Sequence, residues 1–160
     1  MAWNIDVVLI KGGHNRRLDE LVLDVLSPRY EFLGFEDASS VRYANVVSAA
    51  VIPGWGIVVD VGCRLRASRA YWPEVSAETT VLLVHIGMDP MIRRYTNGQL
   101  VTDATGVQAC RALLTTPSTK FTELDDGEIL AQALIEQELG AGLFDATLYV
   151  GFTVFEPPFK

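Results

Sequence analysis

Cysteine, histidine and long apolar runs are scarce in this 160-residue chain, and each scarcity excludes classes of protein. The only cysteines, Cys63 and Cys110, are far apart, and the only histidines are His14 and His85. Zinc sites usually draw on closely spaced His and Cys, so we predict no metal site and no cofactor. Two unpaired cysteines favour a reducing cytoplasm with both thiols free. No apolar run approaches the ~20 residues that cross a bilayer, so no membrane partner is expected.

Local catalytic signatures are also missing. The chain has no G-x-S-x-G elbow, and its glycines follow neither the Walker nor the Rossmann spacing. A catalytic triad assembles in space and needs no local motif, so an enzyme stays open as an alternative. Without a signature, the favoured interpretation is a protein that is not an enzyme.

Basic residues are few in the second half of the chain. The formal net charge is −7. Residues 1–72 carry eight acids and eight bases, whereas residues 73–160 carry twelve acids and five bases. A general nucleic-acid binder needs a basic footprint, so nucleic acid is disfavoured as a partner.

What the chain does have is apolar content for a core. Apolar residues make up 49% of residues 1–160, which suits a single globular domain. The runs Val46–Ile52 and Ile57–Val61 flank Pro53-Gly54, a pair that favours a tight turn. We therefore predict a central hairpin, with the later strands paired beside it.

The other elements follow from periodicity and turn residues. Further strands are predicted at Trp3–Ile10, Tyr30–Phe35, Thr79–Ile86, Met91–Thr96, Gln99–Asp103 and Thr147–Phe155. Asn97-Gly98 predicts a type I′ hairpin beside the Thr79–Ile86 strand, with Tyr95 opposite Leu100 and Arg94 opposite Val101.

Helices are predicted near each end of the chain. One runs from Asn15 to Leu26, and the other from Asp126 to Leu139 with Asp125 as its cap and Gly140 after it. The whole pattern predicts an α+β fold with a mainly antiparallel sheet of about six to eight strands.

This outline resembles an uncharacterised family of small bacterial α+β domains. The shared features are a G-W strand at Gly54-Trp55, an S-x-G-T-like turn at Ser76–Thr80, a D/N-G hairpin at Asn97-Gly98, and a C-terminal helix and strand over Glu128–Phe155. Glu78 stands where that family usually has glycine. The resemblance implies the fold and no assigned activity, and it suggests an interaction or immunity-type module.

Two basic segments form a candidate site for a small anionic ligand. The glycine turn before the first helix would expose N–H groups beside basic side chains, and a second cluster combines arginines with a tryptophan. The candidate residues are Lys11, Gly12, Gly13, Arg16, Arg17, Arg64, Arg66, Arg69 and Trp72. The competing interpretation is a solvated turn and a loop whose Trp72 fills the edge of the core.

The acidic C-terminal segment is the favoured candidate site. Residues 123–145 hold seven acids and no Lys or Arg. The candidate partner-binding residues are Glu123, Asp125, Asp126, Glu128, Gln132, Ile135 and Glu136. An acidic helical strip edged by apolar side chains would suit a protein with a basic surface. We therefore expect a protein-binding module, one form of which is an acidic immunity- or antitoxin-type inhibitor. A solvated helix face is the competing interpretation.

Overall fold

The computed structural model describes residues 3–13, 27–67, 71–115 and 126–156. Within them the chain forms one eight-stranded sheet whose neighbouring strands are all antiparallel. The strands are β1 (Ile5–Lys11), β2 (Ser27–Leu33), β3 (Val47–Ile52), β4 (Trp55–Asp60), β5 (Thr80–Ile86), β6 (Met91–Thr96), β7 (Gln99–Thr105) and β8 (Phe152–Glu156). Their order across the sheet is β2-β8-β3-β4-β1-β5-β6-β7. The predicted α+β class is confirmed.

The described helices are mostly short. They are α1 (Phe35–Ala38), α2 (Tyr71–Val75), α3 (Val107–Arg111), α4 (Gly127–Leu139) and α5 (Leu143–Thr147), with 3₁₀ turns at Val41–Tyr43 and Leu65–Ala67. The predicted helix from Asn15 to Leu26 lies outside the described residues. No helix in the described part of the chain is long and apolar enough to span a membrane.

The predicted central hairpin is β3 and β4, joined by a turn in which Gly54 has a φ of 85°. Strand β1 pairs with β4 on one side, and β8 pairs with β3 on the other. The prediction that later strands lie beside the hairpin is therefore correct for β8 and wrong for β5, which pairs with β1 instead. The first strand of the chain thus lies between the hairpin and the β5–β7 meander.

The second hairpin, β6–β7, turns at Asn97-Gly98 as predicted, with both residues at positive φ. Tyr95 is opposite Leu100 as expected. Arg94, however, is opposite Thr102, because the register shifts by one residue between Arg94 and Tyr95. This bulge accommodates one extra residue in β7.

Helix α4 has the caps that its sequence indicates, displaced by one residue at the start. The carboxylate of Asp126, not that of Asp125, accepts the N–H groups of Glu128 and Ile129 at 2.9 and 3.2 Å. Gly140 ends the helix in the left-handed region at φ 76°. Such a C-terminal glycine pays no side-chain penalty for that conformation.

The two faces of the sheet carry separate cores. Alternation along β1 sends Ile5, Val7 and Leu9 to the first face and Val8 and Ile10 to the second. The first face packs against the buried side of α4, together with α1, α3 and α5 (Phe35, Cys110, Leu130, Leu134, Ile135, Leu143). The second face packs against the segment after β4 (Leu65, Trp72, Val75). Because both faces of the sheet are covered, β1 is buried from Ile5 to Ile10.

The predicted last strand is shorter than expected because its beginning is helical. Residues 143–147 form α5, where the Thr147 hydroxyl donates to the carbonyl of Leu143 at 2.7 Å. The strand itself covers Phe152–Glu156. Of the predicted strand, Thr147 therefore belongs to the end of α5, and residues 148–151 form a turn and irregular backbone before β8.

Candidate functional site

Three polar side chains form a row across the second face. Asp6 of β1 is directly opposite Asp60 of β4 on one side and His85 of β5 on the other. Opposed residues of neighbouring strands project to the same face, so these side chains meet. All three are buried, and buried polar groups are costly unless they are paired. These three residues are therefore candidates for a functional role.

Cys63 joins this row through the turn that follows β4. The Asp60 Oδ2 atom accepts the backbone N–H groups of Arg64 and Leu65 at 2.7 and 2.8 Å, which fixes the turn. Cys63 has a φ of 53°, which is uncommon for a residue with a side chain. Its Sγ atom lies 3.9 Å from Nδ1 of His85.

Asp6, Cys63 and His85 form a compact group, called the Asp6 cluster below. Nδ1 of His85 is 2.7 Å from Oδ1 of Asp6, and one ligating atom of each residue lies within 4.8 Å of the other two. The second carboxylate oxygen, Oδ2, is buried and accepts no hydrogen bond from the described residues. The nearest cation is the Arg66 guanidinium, whose Nε is 3.6 Å from Oδ2.

Burial sets the electrostatics of this group. It raises the pKa of the Cys63 thiol to about 12, the carboxylate of Asp6 adds to the rise, and Arg66 opposes it. Burial also raises the pKa of Asp60, although the N–H of Leu65 acts in the opposite direction. A thiol that stays protonated is a poor nucleophile at neutral pH.

The geometry of the Asp6 cluster also differs from that of a nucleophilic triad. In a triad the imidazole uses one nitrogen for the nucleophile and the other for the carboxylate. Here Asp6 and Cys63 both approach Nδ1 of His85. A thiol, an imidazole and a carboxylate that converge on one point are instead a ligand set suited to zinc. The Asp6 cluster could therefore hold a metal ion.

The predicted tryptophan–arginine site is not assembled. Trp72 is fully buried in the second-face core, where its Nε1 donates to the carbonyl of Leu65 at 3.1 Å. Its burial supports the competing interpretation, in which Trp72 fills the core. Arg64 donates to Oδ1 of Asn45 at 2.9 Å, and Arg66 faces Asp6.

The glycine turn lies at the far end of β1 from these arginines. Lys11 and Asp6 are five residues apart on one strand, roughly 17 Å at ~3.4 Å per residue. The N–H of Gly12 donates to the carbonyl of Gly54 at 2.8 Å, and Gly13 is buried. The remaining candidates, Arg16, Arg17 and Arg69, lie outside the described residues. The glycine turn and these arginines therefore lie towards opposite ends of β1, and a single anion site that joins them stays a prediction.

The predicted acidic strip on α4 is less exposed than expected. Glu128, Gln132 and Glu136 are each half-buried, and Oε1 of Glu128 accepts the backbone N–H of Trp3 at 2.8 Å. Ile135 is fully buried, so its predicted place as an exposed apolar edge is wrong. The reason is that α4 contacts α3, α5 and β5, which widens its buried arc. Asp126 is exposed, while Glu123 and Asp125 lie outside the described residues.

A cavity of about 250 Å³ opens between α4 and β5–β7. Its polar rim includes Arg94 and Glu138, which form an ion pair. Glu138 of the acidic segment therefore has a basic partner that is distant in the sequence. Gln137, also on the rim, accepts the N–H of Thr115 and donates to the carbonyl of Leu113. These rim groups are paired within the protein, so they do not by themselves indicate a ligand.

Three large apolar side chains are exposed on helix α5 and just after its C-terminal end. Phe144 is 48% exposed, Leu148 65% and Tyr149 95%. The Phe144 ring contacts Phe35 of α1 edge-on, with centroids 5.4 Å apart. Exposed acidic residues follow both rings in the sequence. Glu36 and Asp37 follow Phe35 on α1, and Asp145 follows Phe144 on α5. The residues Glu36, Asp37, Phe144, Asp145, Leu148 and Tyr149 are called the α1–α5 surface below.

No family model, curated protein or solved structure that was compared with the chain matches it. The resemblance to small bacterial domains therefore stays a prediction. Function has to be argued from the two features that the fold assembles, the Asp6 cluster and the α1–α5 surface.

Sequence reasoning missed both features. The weak signal for the Asp6 cluster was that Asp6 and His85 are polar residues within otherwise apolar strands. Their alignment with Cys63 depends on strand register, and strand register cannot be deduced from the spacing of the ligands along the chain. The signal for the α1–α5 surface is the aromatic and apolar content of residues 144–149, of which the last three fall in the predicted strand Thr147–Phe155.

Proposed function

We propose that this protein acts by binding another protein through the α1–α5 surface, and that the bound surface of the partner is basic with an apolar contact at its centre. The observation that carries the proposal is the exposure of Phe144, Leu148 and Tyr149 around the end of one helix. Contiguous exposed apolar groups rimmed by polar residues are typical of interaction sites. Single exposed apolar residues elsewhere need no such explanation.

The aromatic part of this surface is held in place before any partner arrives. Phe144 contacts both Trp3 and Phe35, with ring centroids 5.2 and 5.4 Å away. Phe35 in turn contacts the buried ring of Phe152. A side chain that is already ordered loses little conformational freedom on binding, which favours affinity. Rigid aromatic anchors are common among the residues that dominate binding energy.

The acidic side chains next to these aromatic anchors indicate that the bound surface of the partner is positively charged. Glu36, Asp37 and Asp145 are exposed, and the chain as a whole carries a formal charge of −7. Charges at the rim of an interface act mainly on the association rate and on the choice of partner. An acidic immunity- or antitoxin-type inhibitor of a basic protein is the specific form of this proposal.

The acidic side of α4 borders the same surface. Glu128 accepts the backbone N–H of Trp3, whose ring contacts Phe144. The residues predicted from the sequence, Glu128 and Glu136, would then extend the acidic rim. They would not supply the apolar anchor, because Ile135 is buried.

The experiment begins with a photo-crosslinking amino acid at position 149 in the native host, followed by purification of the captured protein. Association rates of the purified pair are then measured against salt for three charge variants. These are Asp37→Lys with Asp145→Lys, Glu128→Lys with Glu136→Lys, and a control, Glu74→Lys with Glu78→Lys. Glu74 and Glu78 are exposed acids before β5, at the end of that strand away from Ile86.

We expect the Asp37/Asp145 variant to associate at least about tenfold more slowly than the control at low salt, with the difference shrinking as salt rises. Tyr149→Ser should speed dissociation, and Val101→Ser, which changes an exposed apolar residue of β7, should not. Equal rates for the Asp37/Asp145 variant and the control would overturn the proposal. Slowing by the Glu128/Glu136 pair alone would move the site to α4. Self-association abolished by Tyr149→Ser would show that the surface is a dimer contact instead.

A further inference from the structure

We propose that Asp6, Cys63 and His85 bind a zinc ion, through one carboxylate oxygen, Sγ and Nδ1, with the fourth coordination position left to solvent. The inference goes beyond the proposed protein-binding function. The Asp6 cluster lies on the second face of the sheet, whereas α1 and α5 pack on the first.

Two of the separations within the cluster are close to those of a tetrahedral site, and all three ligand atoms lie within 4.8 Å of one another. Zinc–ligand bonds of about 2.0–2.3 Å place neighbouring ligand atoms roughly 3.3–3.6 Å apart. The Nδ1–Oδ1 distance is 2.7 Å and the Sγ–Nδ1 distance is 3.9 Å. Shifts of less than about 1 Å in these two distances would therefore reach the tetrahedral values. The ion would take the place of the hydrogen bond between His85 and Asp6.

Charge and hydrogen bonding favour a dication at this point. A zinc ion with one thiolate, one carboxylate and a neutral imidazole has zero net charge, which suits a buried site. Without an ion the Asp6 carboxylate is fully buried and its Oδ2 accepts no hydrogen bond from the described residues. Arg66 lies 3.6 Å from Oδ2, which is beyond hydrogen-bond distance, and its side chain is 36% exposed, so Arg66 does not close the carboxylate to the ion.

The surrounding structure holds these three ligands in place. Asp6 and His85 are on adjacent central strands in fixed register, and Asp60 anchors the turn that carries Cys63. The His85 ring lies directly against Gly87, since a Cβ built on Gly87 would be 2.8 Å from Nε2. Side chains fixed by their neighbours in this way are typical of metal sites, where supporting residues set affinity.

The competing interpretation is a structural ion pair. In it, the Arg66 guanidinium and the hydrogen bond to His85 offset the charge of Asp6, and Cys63 is a half-buried thiol without a function. The two interpretations differ in what they require of the thiol. Only a metal site needs the sulfur of Cys63, so the decisive variant removes that atom and leaves the ion pair intact.

The test uses the full chain, stripped with a chelator and titrated with Co²⁺ as a spectroscopic probe for zinc. We expect one ion per chain and a thiolate-to-cobalt charge-transfer band, and Zn²⁺ should displace the cobalt. Cys63→Ser should abolish the band and weaken binding at least about 100-fold, more than loss of a supporting residue usually does. The control Cys110→Ala, which removes the buried cysteine of α3, should keep both the band and the affinity.

A second measurement needs no variant, so it stands even where Cys63→Ser fails to fold. The stripped wild-type protein is alkylated with a maleimide with and without Zn²⁺, and labelling of each cysteine is followed by mass spectrometry of its peptide. Zinc should slow labelling of Cys63 at least about tenfold, and should not affect Cys110. An unchanged rate at Cys63, or a cobalt band equally strong in Cys63→Ser, would overturn the proposal.

Discussion

Replacing Gly127 with alanine should have two opposing effects on the free energy of unfolding. Gly127 is the first residue of α4, and a glycine-to-alanine change in a helix normally adds about 0.5–1 kcal/mol of stability. Here, however, the new Cβ would lie 2.4 Å from the carbonyl oxygen of Met88 and 2.5 Å from that of Gly87. Ordinary contact distances between uncharged heavy atoms are about 3.5–4.0 Å. Both oxygens belong to the backbone of the turn after β5, so neither can rotate away.

The clash should outweigh the gain in helix propensity. Overpacking a buried site costs about 1–3 kcal/mol, and two backbone oxygens at once place this site at the upper end. Subtracting the propensity gain leaves a net loss of about 2 kcal/mol. For a chain of this length that corresponds to a fall of roughly 4–8 °C in Tm.

The assay is urea unfolding of the wild type and Gly127→Ala, followed by circular dichroism. Gly140→Ala at the other end of α4 is the matched control. No atom lies within 4 Å of its Cβ, but its φ of 76° disfavours a side chain, so it should lose about 1 kcal/mol. A Gly127→Ala protein as stable as the wild type, or more stable, would refute the packing of α4 against the β5–β6 turn.

Three further substitutions test the core and the Asp6 cluster. Ser48→Ala should leave stability unchanged or raise it by about 1 kcal/mol in urea unfolding, because the buried Ser48 hydroxyl has no hydrogen-bond partner among the described residues. Trp72→Phe should cost about 2–3 kcal/mol in the same assay, since it opens a gap and leaves the carbonyl of Leu65 without the indole N–H. Gly87→Ala should weaken Co²⁺ binding about tenfold in the cobalt titration by displacing His85, and unchanged affinity would count against the Nδ1 ligand.

The parts of the fold that the sequence predicts are those with a local cause. Asn97-Gly98 specifies its turn because both residues tolerate positive φ, and β6–β7 forms around it. Pro53-Gly54 does the same for β3–β4, and Gly140 ends α4 as predicted, whereas the N-cap is Asp126, one residue after the predicted Asp125. At each of these turns and helix ends the residues that determine the geometry are close neighbours in the sequence, so they can be recognised without knowing the neighbouring strands.

The parts that it does not predict depend on contacts between distant segments. β1 separates the central hairpin from β5, and this arrangement alone brings Asp6 beside His85, 79 positions later. A helical wheel assigns Ile135 to the boundary of the exposed face, because the wheel takes no account of packing. Its burial follows from α4 contacting α3 and α5 as well as the sheet.

The segment from Trp3 to Asp6 connects the two features on which the proposals rest. Trp3 contacts the α1–α5 surface through its ring, and its backbone N–H is bound by Glu128 of α4. One residue later the carbonyl of Asn4 lies 3.6 Å from Sγ of Cys63, and two residues further on Asp6 contributes its carboxylate to the cluster. From Asp6 to Ile10 the chain is paired with a strand on both sides, which restricts movement of Asp6. The Asp6 cluster and the Trp3 ring that supports Phe144 are therefore only three positions apart along the chain, although they lie on opposite faces of the sheet.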